Sequence, residues 1–326
     1  MGLAQTPDPV IILTQGTETS LRGLSVVNEQ TIWASGSNGY TARSNDGGKI
    51  FSFHQLYEYD KAELRDIHGF DSSTAIVMSS VQPAALFKTS SGGKTWKKVF
   101  EDKTPEAFLD GFDFWDKKNG ICFGDPINNR FMILTTTDGG ETWNYIDSAN
   151  CPLVKDGTAA FAASGSSIQC LKNGDVYFAT GGTESVLFFS KDYGRNWKRI
   201  ETPMPAGYQS SGIFSIDFLN EKEGCITGGD YTKTNTKSDN FYYTTNGGKS
   251  WKEAGTMPSG YRSGVKYVDG YFVVACGTSG VDLGYTDSHH FFTVNTGNYN
   301  VLATDPQRKI IFLAGSNGLI ATMSKK

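Results

Sequence analysis

The sequence predicts an all-β protein, a single β-propeller of seven four-stranded antiparallel blades. Three observations predict it. The first is a recurring hairpin, clearest at Thr136-Thr137-Asp138-Gly139-Gly140-Glu141-Thr142-Trp143, which returns in varied form along the whole chain. Its closing aromatics stand at positions 51, 96, 143, 197, 251 and 292, intervals of 45, 47, 54, 54 and 41 residues. Intervals of that size suit one antiparallel blade per repeat. The second is composition: 38 glycines, 13% aromatic residues and no apolar run near the ~20 residues that a membrane helix needs. The third is the absence of any segment free of repeats, so residues 1–326 read as one domain.

Each repeat is justified by local chemistry. A Ser or Thr hydroxyl and a following Asp or Asn can bond their own turn backbone, and the glycines permit the positive φ of a tight hairpin. The aromatic that follows anchors the hairpin on apolar surface. On this reading Asp46, Asp138, Asp192 and Asp287 are structural, and so are Trp96, Trp143, Trp197 and Trp251.

The blades follow in order. Blade one opens at Leu21-Arg22-Gly23, blade two at Leu64-Arg65-Asp66 and blade three at Leu109-Asp110-Gly111. Blade four opens near Ala159-Ala160-Phe161, blade five at Gly212-Ile213-Phe214 and blade six at Tyr261-Arg262-Ser263. Blade seven has three strands between Tyr299 and Met323 and lacks a fourth. The segment 9–14, rich in Val and Ile, is the orphan strand that completes it, with residues 1–8 as a tail. Closing the ring this way removes long unpaired sheet edges.

The hairpins resemble the BNR/Asp-box repeat superfamily, whose pattern Ser/Thr-x-Asp-x-Gly-x-Thr/Ser-Trp is matched closely at 136–143. That superfamily includes sialidases, two-propeller xyloglucanases, sortilin-type receptors and photosystem II stability and assembly factors, so the motif implies an architecture and no single chemistry. Over nearly its full length the chain is similar to the assembly-factor group and its non-photosynthetic bacterial relatives. The openings Leu21-Arg22-Gly23 and Leu64-Arg65-Asp66 and the Gly-Ser-Asn-Gly elements carry this likeness.

In a propeller the first strand of each blade lines the channel. Aligning the blade openings places Arg22, Arg65 and Arg262 at similar points, with Asp110 at the matching point of blade three. Guanidiniums from separate blades could hold a carboxylate or phosphate bidentately. The plainer reading pairs them with neighbouring carboxylates in a polar channel wall. Asp125 and Asp230 follow glycines at the ends of second strands and could rim the same mouth; Gly-Asp is also ordinary turn chemistry.

Two functions follow. The first is a non-catalytic protein that holds a protein partner or a small anionic or carbohydrate ligand at the channel mouth. The second is a glycoside hydrolase of the sialidase or another BNR-repeat type. A sialidase needs three arginines, but the Arg-Ile-Pro segment is absent and sialidase rings have six blades, which favours the first. No catalytic residue is assigned.

Four histidines without metal-ligand spacing, and the lack of Cys-x-x-Cys or a phosphate loop, predict no metal and no cofactor. A net charge of −4 offers no footprint for nucleic acid. A monomer, secreted or periplasmic after removal of an export signal, is expected. Cys122, Cys225 and Cys276 read as buried small hydrophobes; Cys151 and Cys170 could pair or stay free.

Overall fold

The computed structural model describes residues 10–323 apart from Gln82. The tail 1–8 and residue 9 of the expected closing strand lie outside the described residues. Seven antiparallel sheets form seven blades. Blade one is Leu21–Val26, Ile32–Gly36, Tyr40–Ser44 and Ser52–Gln55; blade two is Leu64–Gly69, Ala75–Ser79, Ala84–Thr89 and Lys97–Asp102. Blade three is Leu109–Phe114, Gly120–Ile127, Arg130–Thr136 and Asn144–Tyr145; blade four is Ile168–Cys170, Val176–Ala179, Val186–Ser190 and Lys198–Glu201. Blade five is Tyr208–Phe218, Gly224–Asp230, Phe241–Thr244 and Lys252–Glu253; blade six is Gly264–Val268, Phe272–Gly277, Gly280–Tyr285 and Phe291–Asn295. Blade seven takes Val301–Thr304, Ile311–Ala314 and Ile320–Met323 from the end of the chain and Ile11–Thr14 from its start. Ile11 pairs with Thr322 and Ile12 with Ala321, so the ring closes by sharing its last blade.

The hairpins hold as the sequence leads one to expect. In the third blade the Thr136 hydroxyl donates to Asp138 Oδ1 (2.8 Å) and accepts the Gly140 N–H (2.9 Å), while Asp138 Oδ1 accepts the Thr142 N–H (3.0 Å). Ser44 with Asp46, Ser190 with Asp192 and Thr244 with Asn246 repeat this arrangement. The glycine just before the last three residues of four hairpins, Gly93, Gly140, Gly194 and Gly248, has positive φ and abuts Trp33, Ile76, Ile121 or Ile200 of the preceding blade. Each hairpin is thus a clasp between blades. Asp287 is a correction: it is exposed and makes none of these bonds, and His289 stacked on Tyr243 (3.8 Å) fills the place.

Apolar side chains pack between adjacent sheets, and polar side chains lace the inner strands together. Ser25 Oγ accepts the Gly69 N–H (3.0 Å), Asp113 Oδ2 that of Cys170 (2.8 Å), Gln169 Oε1 that of Phe218 (2.7 Å) and Asp217 Oδ2 that of Tyr267 (2.8 Å). Asn300 Nδ2 donates to the Leu21 carbonyl (2.9 Å) and joins blade seven to blade one. Cys122, Cys225 and Cys276 are buried, and Cys151 and Cys170 are free thiols.

Blade four departs from expectation. Its inner strand is short, Ile168–Cys170, and Ala160–Ser167 runs ahead of it along the channel. The Ala162 and Ala163 carbonyls meet Arg65 and Arg22, the Ser164 hydroxyl donates to the Ser263 carbonyl (2.6 Å), and Gly165 lies against the Asp66 carboxyl. Only small residues fit such a place, and this stretch is Ala, Ser and Gly apart from Phe161.

Candidate functional site at the channel mouth

Backbone register decides which residues face the mouth. The inner strands of blades one, two and three each carry a bulge, between Leu21 and Gly23, Leu64 and Asp66, and Leu109 and Gly111. Arg22, Arg65 and Asp110 sit at those bulges, a device that re-aims a side chain. The bulge of blade five, between Ile213 and Ser215, holds Phe214. These four positions are equivalent, and Arg22, Arg65 and Phe214 line one cavity of about 420 Å³ with Phe108, Asp125, Ala160–Ala163, Tyr231, Tyr261 and Thr278.

Arg262 does not join them. Gly36, Gly124 and Gly277 press on the carbonyls of Ser20, Phe108 and Tyr261, so Arg262 stands where Leu21 and Leu109 stand in their blades. A shift of one residue sends a strand side chain to the opposite face. The Arg262 guanidinium is fully buried, 2.6 Å from Asp282, and it also bonds Ser259, Ser279 and the Tyr261 carbonyl. Ser263 takes the register of Arg22. The sequence signal was the glycine: Gly264 aligns with Gly23 and Gly111, whereas aligning the arginines displaces the blade by one.

Asp110 has the expected register but is sealed at 0% exposure, with the Ala162 backbone N–H the one donor near its carboxyl among the described residues. Burial and the nearby Asp125 carboxyl push its pKa well above the ordinary carboxylate range. Asp125 lines the cavity and accepts the Ala160 N–H (2.9 Å); burial outweighs that bond and raises its pKa to about 6. Asp230 lies beside the mouth and closes its own turn by accepting the Thr232 N–H (2.9 Å) and hydroxyl (2.6 Å).

The charge balance of the cavity is uneven. Arg65 pairs with Glu63 through Nε (3.1 Å) and Nη2 (3.0 Å) and reaches the Ala162 carbonyl at 3.3 Å. Among the described residues Arg22 makes one long bond, 3.3 Å to the Ala163 carbonyl, and no salt bridge to a carboxylate. Burial and the adjacent Arg65 lower its pKa from the usual arginine value. As an arginine it stays protonated, and Glu63, already paired with Arg65, acts on it only at a distance. Around it stands an aromatic wall absent from the expected site. Phe161 stacks on Phe214 with centroids 3.9 Å apart, and Tyr261 and Tyr231 present edges to Phe214 at 4.8 and 6.2 Å.

The opposite mouth holds a cavity of about 280 Å³. Its cations are already matched: Lys266 lies 3.0 Å from Asp217, and Arg308 bonds the same carboxylate through both guanidinium nitrogens. Among the described residues no group of three or more His, Cys, Asp or Glu gathers as metal ligands, and no helix is long and apolar enough to cross a membrane.

Comparison with known proteins accords with this architecture. The BNR/Asp-box repeat family matches residues 242–253. Xyloglucanase Xgh74A of Acetivibrio thermocellus is 27% identical over 156 residues, covering 43% of this chain and 18% of the enzyme. A xyloglucanase of a Paenibacillus species is 24% identical over 215 residues, covering 55% of this chain and 20% of the enzyme. The chain therefore spans about a fifth of the length of these relatives. The structure described as YCF48 bound to D1 peptide has a TM-score of 0.69 at 12% identity, covering 98% of this chain and 96% of its own. YCF48 from Cyanidioschyzon merolae gives 0.67 at 14%, covering 97% and 99%. The WD40 propeller domain of Doa1 gives 0.69 at 8%, covering 99% and 98%, so these likenesses establish the fold alone. With laced hairpins and seven four-stranded blades together, the chain is a seven-bladed β-propeller whose Asp-box hairpins include one that matches the BNR/Asp-box repeat family.

Proposed function

We propose that this propeller is a non-catalytic binding protein that seats an acidic segment of a protein partner at the Arg22 mouth. The observation that carries the reading is the Arg22 guanidinium: half-buried, beside a second arginine, facing a cavity and, among the described residues, without a salt-bridged carboxylate of its own. A partner carboxylate supplies the missing charge in a site where water screens it weakly. The aromatic wall gives the adjoining chain apolar surface to rest on. That a YCF48 propeller of the same fold is described with a bound peptide supports this reading.

The test is titration of a fluorescent acidic hexapeptide against the same peptide with Asn in place of Asp. The acidic peptide binds more tightly, and replacing Arg22 and Arg65 by Ala weakens it about tenfold or more. Equal binding of both peptides, or an unaffected double variant, rejects the reading.

A glycoside hydrolase is the second reading, favoured by the xyloglucanase relatives and by Asp125 titrating near neutrality. Hydrolysis of a glycoside asks for two carboxylates flanking the bond. Asp125 faces the cavity, but Asp110 is sealed, and a sialidase-like set of three arginines has only two members here. Release of fluorophore from xyloglucan oligosaccharides or sialosides, lost in Asp125→Asn, would establish this reading in place of the first.

A further inference from the structure

A second depression adjoins the arginine mouth, and the two share Tyr261 as a wall. It holds about 170 Å³ and is formed by blade five, with Pro205, Ala206 and Tyr208 on one side and Asn240 and Tyr261 on the other. Its accessible surface is mostly apolar. Blade five is built up at this place. Its inner strand, Tyr208–Phe218, is 11 residues long, and the short pairs Thr158–Ala159 and Gly181–Gly182 extend the sheet beyond it.

We propose that this depression takes a large apolar side chain, of leucine or phenylalanine type, from the same segment whose carboxylate Arg22 holds. The inference rests on the reading above and adds the sequence class of the partner: an acidic residue with a bulky apolar residue a short distance along an extended chain. Volume supports it, because an apolar cavity of about 150 Å³ accommodates a benzene ring. Continuity supports it too, since Asp230 belongs to the depression and the next residue, Tyr231, to the arginine cavity. Tyr208 and Tyr231 are 67% and 49% exposed and stand at the two cavities like rails.

The rim carries both signs of charge, Asp230 and Asp239 with Lys233. Lys233 sits over the Tyr208 ring at 5.3 Å and within 3.6 Å of Asp230, so a positive charge already occupies that edge. In the wall, Asn240 spends its amide hydrogens on the Pro258 and Gly260 carbonyls (3.1 and 2.7 Å), but its buried Oδ1 has no partner. A small rearrangement would offer that acceptor to a backbone N–H of the captured segment.

The experiment is selection from a displayed library of random hexapeptides carrying one fixed Asp, with the wild-type protein and with Ala206→Trp as baits. Ala206 is exposed on the rim, so the indole fills the depression without entering the core. The wild type selects Leu, Phe or Tyr at a constant offset from the Asp, and changing that residue to Ala weakens binding about tenfold or more. Peptides selected by Ala206→Trp show no apolar preference, yet still lose binding when their fixed Asp is changed to Asn. Selection of Asp with no apolar position, or of Lys or Arg there, overturns this inference and leaves the proposed function standing. Recovery of peptides indifferent to the fixed Asp, or of none at all, overturns both.

Discussion

At the scale of the residue, the mouth is tuned by a titrating carboxyl. Asp125 loses its proton near pH 6, which places a negative charge in the cavity that the two arginines also line and that an acidic peptide must enter. A carboxyl whose folded pKa is raised holds its proton more tightly than in the unfolded chain. Its favourable contribution is therefore complete at low pH and is lost as the pH rises from 3.8 through 6. Capture of an acidic peptide follows the same sign, tighter at pH 5 and weaker by several-fold at pH 7.5. Asp125→Asn flattens this profile and binds at pH 7.5 as the wild type does at pH 5; a slope that survives in the variant places the titration elsewhere. From sequence, the residue types at the mouth were half legible. Arg22, Arg65 and Asp125 were visible because two openings carry the same Leu-Arg pair and because Gly-Asp ends a strand. The burial of Asp110 was not, since nothing in its neighbourhood announces that the chain at Ala162 closes on it. Arg262 was misplaced because its side chain resembles that of Arg22 while its backbone position is that of Leu21.

At the scale of the element, the hairpin clasps make the sequence readable and also show where reading stops. Asp138 organises its turn by accepting the Thr142 N–H and hydroxyl and the Thr136 hydroxyl, which hold its pKa down at about 2 in spite of the burial that opposes them. Asp287 occupies the corresponding place in the sixth repeat and makes no such bonds. Asp138→Ala should therefore lower stability by about 1 kcal/mol, seen as a drop in Tm, whereas Asp287→Ala stays within about 0.5 kcal/mol of the parent. Equal losses would mean that the sixth hairpin works as the others do. Blade four was the element the sequence concealed. An alternating strand announces itself, but Ala160–Ser167 has neither periodicity nor large side chains, because a segment crowded into the channel is selected for smallness rather than for one buried face. That same segment supplies the carbonyls under both arginines, so the element hardest to foresee shapes the floor of the mouth.

At the scale of the whole molecule, blade number and closure were legible because both follow from counting. Six hairpins and a seventh group of strands one short leave a single unpaired strand at the start of the chain, and sheet edges demand a partner. The structure places Ile11–Thr14 as the outermost strand of blade seven, where Leu13 also packs near Gly48 of the first hairpin. One short strand thus joins the last blade to the first across the ring. Removing residues 11–14 leaves Ile320–Met323 as a free edge whose residues Ile320, Ala321 and Met323 are otherwise buried. The shortened protein is expected to lose hydrogen-exchange protection at Ile320–Met323 first and to aggregate on mild heating. Blades two to five, which are not hydrogen-bonded to the closing strand, keep their protection under the same conditions. Uniform loss around the ring would instead show that the propeller unfolds as one cooperative unit as soon as its seam is opened, and unchanged protection at Ile320–Met323 would show that the seam contributes nothing to holding the last blade.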